Sequence, residues 1–93
     1  MGDKEFLKKA KEVVAQYARE HMEHMDKTDP ESMRVSDDDV YCVWLVKALQ
    51  NSKGLFSTRF PDGMYYEVTY NGDKDELYVD CYKKWENFCV QMR

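Results

Sequence analysis

Between Val40 and Tyr82, apolar and aromatic side chains come in four short runs separated by Gln50-Asn51-Ser52-Lys53-Gly54, Pro61-Asp62-Gly63 and Asn71-Gly72-Asp73-Lys74. Short runs rich in β-branched and aromatic residues, bounded by turn-forming residues, predict a four-stranded antiparallel meander. Upstream, Phe6/Leu7, Ala10, Val13/Val14, Tyr17/Ala18 and Met22/Met25 recur every three to four positions. That spacing predicts an amphipathic helix over about 3–25, with Asp3 placed to cap it. The expected fold is α+β: the helix packed on the meander sheet, with a short C-terminal helix as an option. The chain divides as one domain into helix, acidic linker 26–39, sheet about 40–82 and tail 83–93.

Turn chemistry predicts the pairing. Pro61-Asp62-Gly63 suits a three-residue hairpin loop with Gly63 left-handed, which sets Phe60 opposite Met64 and Phe56 opposite Val68. A four-residue loop over Asn71–Lys74 sets Val68 against Leu77 and Met64 against Cys81. One face then carries Trp44, Val46, Ala48, Phe56, Phe60, Met64, Tyr66, Val68, Leu77, Val79 and Cys81, and receives the helix. The other is polar with Tyr65, Tyr78 and Tyr82, plus an apolar corner of Val43, Leu45, Leu49 and Leu55. That corner needs a cover, either the tail residues Trp85, Phe88 and Val90 or a second subunit in a homodimer. Two alternatives stay open: a helix starting at Ser36-Asp37-Asp38-Asp39, and a helix on the spacing Leu77, Cys81, Trp85, Phe88.

Charge narrows the function classes. The formal net charge is −4, with +2 over residues 1–19, −6 over 20–39 and zero over 40–93. An anionic chain argues against general nucleic-acid or anionic-membrane binding, which rest on basic surfaces. Three cysteines without a CxxC pair predict reduced thiols, and no run approaches the ~20 apolar residues of a membrane span. The expected location is the cytoplasm.

Val40-Tyr41-x-Val43-Trp44, Leu49-Gln50-Asn51, Asp62-Gly63-Met64-Tyr65-Tyr66-Glu67, Thr69-Tyr70-Asn71-Gly72-Asp73-Lys74 and Tyr82-Lys83-Lys84-Trp85-Glu86-Asn87 resemble a family of small uncharacterised proteins of phages and prophages of Gram-positive bacteria. The resemblance spans roughly 35 to 90. It implies a phage accessory protein acting in a bacterial host cell, a setting in which small inhibitors of host defence are common.

Motifs for chemistry are sparse. His21 and His24 share a helix face but lack a third close ligand, a poor zinc set. Asn71-x-Asp73-x-Asp75 imitates a calcium loop but has Glu76 where glycine belongs and Tyr82 where glutamate belongs, so it reads as a hairpin loop. Cys42, Cys81 and Cys89 fall on apolar or strand positions and read as buried structural cysteines. No Ser-His-Asp order or glycine-rich phosphate loop is present. The chain reads as a non-enzyme with no catalytic residue, metal or cofactor.

Two surfaces are candidates for partners. Glu20, Glu23, Asp26, Asp29, Glu31, Asp37, Asp38 and Asp39 form an acidic array that matches the basic channel of a nucleic-acid-handling host protein, a CRISPR effector or another defence enzyme. Tyr65, Tyr78 and Tyr82, near Arg59, Lys83 and Lys84, form an aromatic face. The alternatives are a single-stranded nucleic-acid binder that stacks bases on those tyrosines, and a dimeric sponge for a signalling nucleotide.

Overall fold

The computed structural model describes residues 2–22 and 35–92. Helix α1 spans Asp3–Met22, with Asp3 and Glu5 in the first turn and Arg19 and His21 in the last, each complementing the helix dipole. Gly2 precedes it and accepts the first backbone bond from Phe6. Phe6, Ala10, Val14 and Ala18 are buried at the four-residue spacing that makes one helix face. The expected extension to Met25 lies outside the described residues.

Ser36-Asp37-Asp38-Asp39 begins only a 3-10 turn, Asp37–Asp39, before strand β1, Val40–Ala48. The run Val40–Val46 is too rich in β-branched and aromatic residues to continue a helix. Strands β2 (Asn51–Thr58), β3 (Met64–Asn71) and β4 (Glu76–Lys83) follow in an antiparallel sheet of order β1-β2-β3-β4. Helix on meander is the architecture the hydrophobic pattern predicts. Residues 84–92 form neither helix nor strand, so the expected tail cover and the alternative helix over Leu77–Phe88 are not adopted.

The pairing differs from expectation in four places. Asn51–Gly54 belongs to β2, because Leu49-Gln50 turns the chain in two residues, with Leu49 at φ 55°. The β2–β3 connection is wider than three residues: Phe56 pairs with Tyr66 and Gly54 with Val68. There Asp62 accepts the Met64 amide at 3.0 Å, an Asx turn that widens the loop, and Gly63 takes the left-handed conformation at φ 72°. The β3–β4 loop has the expected four residues but starts one later, so Val68 pairs with Val79 and Tyr66 with Cys81. Both slips are of two residues, which preserves the faces.

The fourth difference changes a face. Cys42 pairs with Phe56 and Trp44 with Leu55, leaving Val43 as an extra residue in a β-bulge. Alternation therefore reverses within β1. Trp44, Val46 and Ala48, expected under the helix, share the opposite side with Leu55 and Lys53, while Leu45, expected in the corner, turns toward the core.

The core lies between α1 and one side of the sheet. Phe6 meets Phe56 at 6.2 Å between ring centroids, and Tyr17 meets Tyr66 edge-on at 5.7 Å. Tyr66 is 1% exposed, and burial pushes its hydroxyl pKa up to about 12. Arg19 donates from Nε and Nη2 to the Val35 carbonyl at 3.1 and 2.7 Å, tying the buried Val35 to the helix end. The molecule measures 18 Å along its shortest axis, about one helix layer on one sheet layer. Among the described residues nothing is layered on the other side of the sheet.

Candidate functional site

Strand register arranges the open side in rows. Tyr41, Ser57, Tyr65 and Tyr82 form one; Trp44, Leu55, Glu67 and Asp80 the next; Val46, Lys53, Thr69 and Tyr78 the third. Neighbours within a row stand about 5 Å apart at Cβ, so these side chains make one continuous surface. Tyr41, Val46, Tyr78 and Tyr82 are about half exposed, and Trp44 is 39% exposed. Polar groups are interleaved: Lys53 pairs with Glu67 at 3.1 Å, the Tyr78 hydroxyl donates to Glu76, and the Lys84 ammonium lies 5.8 Å from the Tyr65 ring centroid. An apolar centre rich in Tyr and Trp with charged neighbours is the composition of a protein-recognition surface.

The predicted tyrosines Tyr65, Tyr78 and Tyr82 are thus brought to one face. What sequence reasoning missed is that Tyr41, Trp44 and Val46 join them. The Val43 bulge brings Trp44 and Val46 there, and no glycine or proline marks it; Tyr41 precedes the bulge and follows plain alternation. The predicted corner is dispersed: Leu55 is half-buried on the open face, Val43 sits in the bulge, Leu45 faces the core, and Leu49 stands in a turn at 96% exposure.

The acidic array divides as well. Glu23, Asp26, Asp29 and Glu31 lie outside the described residues. Glu20, Asp37 and Asp38 are exposed. Asp39 is engaged internally: its carboxylate takes the Arg59 guanidinium and accepts the Ser36 amide at 2.9 Å, while its carbonyl accepts the Arg59 amide at 3.0 Å. The Arg59 hydrogen bond, then the Ser36 amide, hold its pKa below the usual carboxylate value. Asp39 clamps the start of β1 to the end of β2.

His21 stacks on Tyr17 at 4.0 Å, and His24 lies outside the described residues. Asn71 Oδ1 accepts the amides of Asp73 and Lys74 at 3.1 and 3.4 Å, the bonding of a hairpin loop. Cysteine burial departs from expectation: Cys42 is half-buried and its pKa raised by burial, whereas Cys81 and Cys89 are exposed. Cys81 lies on the outer strand β4, beyond the strands that α1 chiefly contacts. Among the described residues no three of His, Cys, Asp and Glu are grouped to share a metal ion, and no helix is long and apolar enough to cross a membrane.

No curated protein and no solved structure matches the chain. A family model does, over residues 7–92, which takes in most of the helix, the whole sheet and nearly all of the tail. The chain belongs to this family, DUF6275, a family of unknown function.

Proposed function

We propose that this protein is a non-catalytic binding module that acts by stoichiometric contact with a host protein, through the open face of its sheet. The carrying observation is the three-row surface of Tyr41, Trp44, Val46, Tyr65, Tyr78 and Tyr82 on a rigid sheet, uncovered by any described residue of the chain. A surface of this composition excludes water well on contact and concentrates binding energy in a few aromatic side chains. Asp37 and Asp38 and the net charge of −4 add salt-sensitive steering toward a basic partner. The phage setting implied by the sequence resemblance makes the partner a host defence protein, with a nucleic-acid-handling enzyme such as a CRISPR effector as the class.

Affinity capture of the tagged chain from a host lysate, with nuclease treatment, tests this. One dominant protein retained at low salt, and lost when Trp44 and Tyr82 are replaced by alanine, supports the proposal. Bound material that disappears with nuclease favours base stacking on the row Tyr41, Tyr65 and Tyr82 instead. Capture that is indifferent to the Trp44 and Tyr82 substitutions removes the open face as the site.

A further inference from the structure

The C-terminal arm, residues 84–92, carries Trp85, Phe88, Val90 and Met92 at 66–95% exposure. Four large apolar side chains in solvent are a cost that a lone domain does not usually carry. From Phe88 to Met92 they alternate with Cys89 and Gln91, the period of a strand rather than a helix. At the opposite edge of the sheet, β1 has no strand on its outer side among the described residues. Its Tyr41, Trp44 and Val46 are exposed beside that edge. Such an edge is a template for one more strand.

We propose that the arm adds as a fifth strand to the outer edge of β1 in a second copy of this chain, the exchange being reciprocal in a twofold dimer. The arm's own β1 edge is out of useful reach. Four strands at ~4.8 Å spacing put the new strand position about 19 Å from β4, a crossing that uses about six extended residues after Lys83 and so takes Phe88 out of the apolar strand. A second copy presents its edge with no such crossing. Charge favours the same occupant: residues 83–93 hold three basic side chains and one acidic, so residues 1–82 carry a formal −6 of the chain's −4. Asp37 and Asp38 stand exposed at the head of the accepting strand. The outer edge of β4 is the poorer acceptor, because its open-face positions include Glu76 and Asp80 and the arm departs from that strand. With Phe88, Val90 and Met92 turned to the open face, they extend the row ends at Tyr41, Trp44 and Val46 without covering them. One isologous contact then satisfies both arms and both edges.

Sedimentation of the full chain over a micromolar concentration series tests the proposal. A dimer is expected, with the dissociation constant raised at least about tenfold by F88D/V90D, substitutions on exposed side chains that leave the helix-sheet core untouched. Hydrogen exchange locates the contact: amides of β1 exchange more slowly in the dimer than in F88D/V90D, and those of β4 do not. A monomeric wild-type chain overturns the proposal, and so does a dimer indifferent to F88D/V90D. Slowed exchange on β4 instead of β1 overturns the assigned edge. None of these readouts depends on capture of a host partner, so this inference and the proposed function fail separately.

Discussion

The two sides of this sheet are built from the same four strands, and the open side carries more aromatic side chains, five against three, yet only the helix side is buried. On the helix side Val40, Phe56, Tyr66 and Val68 are buried against Phe6, Ala10 and Val14. On the open side Tyr41, Trp44, Val46, Tyr78 and Tyr82 remain about half in solvent. The difference teaches that apolar content does not assign burial; the second layer does. Among the described residues one 20-residue helix covers one side of the sheet, and the other side stays in contact with solvent.

Truncation of one large aromatic side chain on each side separates them most sharply. Phe56→Ala leaves a cavity beneath α1 and lowers unfolding free energy by about 3–5 kcal/mol, a large part of a small domain's total. Trp44→Ala removes more atoms but lowers it by less, about 1–2 kcal/mol, since the residue is already 39% exposed. Denaturant titration compares them, and equal losses would break the contrast.

Deleting Val43 tests the assigned bulge. Without the extra residue Cys42 and Trp44 follow in plain alternation opposite Phe56 and Leu55, so both sides keep their side chains. The expected change in unfolding free energy is within about 1 kcal/mol, read by denaturant titration. A loss of about 2 kcal/mol or more, the scale of one buried apolar side chain, would show that Val43 is not the extra residue.

Tyr65→Ala with Tyr82→Ala reads the open side alone. Partner affinity is expected to fall by at least about tenfold, roughly 1.4 kcal/mol, with the thermal midpoint little changed. Loss of folding would place these tyrosines with the core.

Asp39→Asn tests the clamp at the sheet's edge, with an effect of about 1 kcal/mol near neutral pH, because Arg59 is largely exposed and solvent screens the pair. The folded pKa of Asp39 is depressed, so its contribution is present above the unfolded value, about 4, and is lost as pH falls through the folded one. The wild-type advantage over the variant should therefore shrink on acidification below about pH 4. The smallest effect is expected at the β1–β2 turn: Leu49→Gly relieves a left-handed backbone on a side chain with no packing to lose, a gain of about 0.5–1 kcal/mol in chemical denaturation.

How far the primary structure reveals this molecule depends on the range of the interaction concerned. The helix is legible because Phe6, Ala10, Val14 and Ala18 repeat at its own pitch, and four strands are legible because turn residues bound them. The faces of β2, β3 and β4 also survive, since register errors of two residues leave side-chain parity intact. The tyrosine face was therefore visible in Tyr65, Tyr78 and Tyr82. Its other half was not, because a single extra residue at Val43 inverts the rest of β1. The acidic array looked uniform, and only geometry separates Asp39, held by Arg59 twenty positions away, from the exposed Asp37 and Asp38.

Local pattern, then, determined the elements of this protein, their order and the side of three strands that meets the helix, because these follow from periodicity and turn chemistry within a few residues. Tertiary structure alone decided where alternation breaks, which carboxylate is internal, and that the tail's Trp85 and Phe88 do not fold back on their own sheet. Each of those is settled by contacts between segments distant in the chain, where a shift of one residue costs nothing locally and reverses what a whole strand presents to solvent.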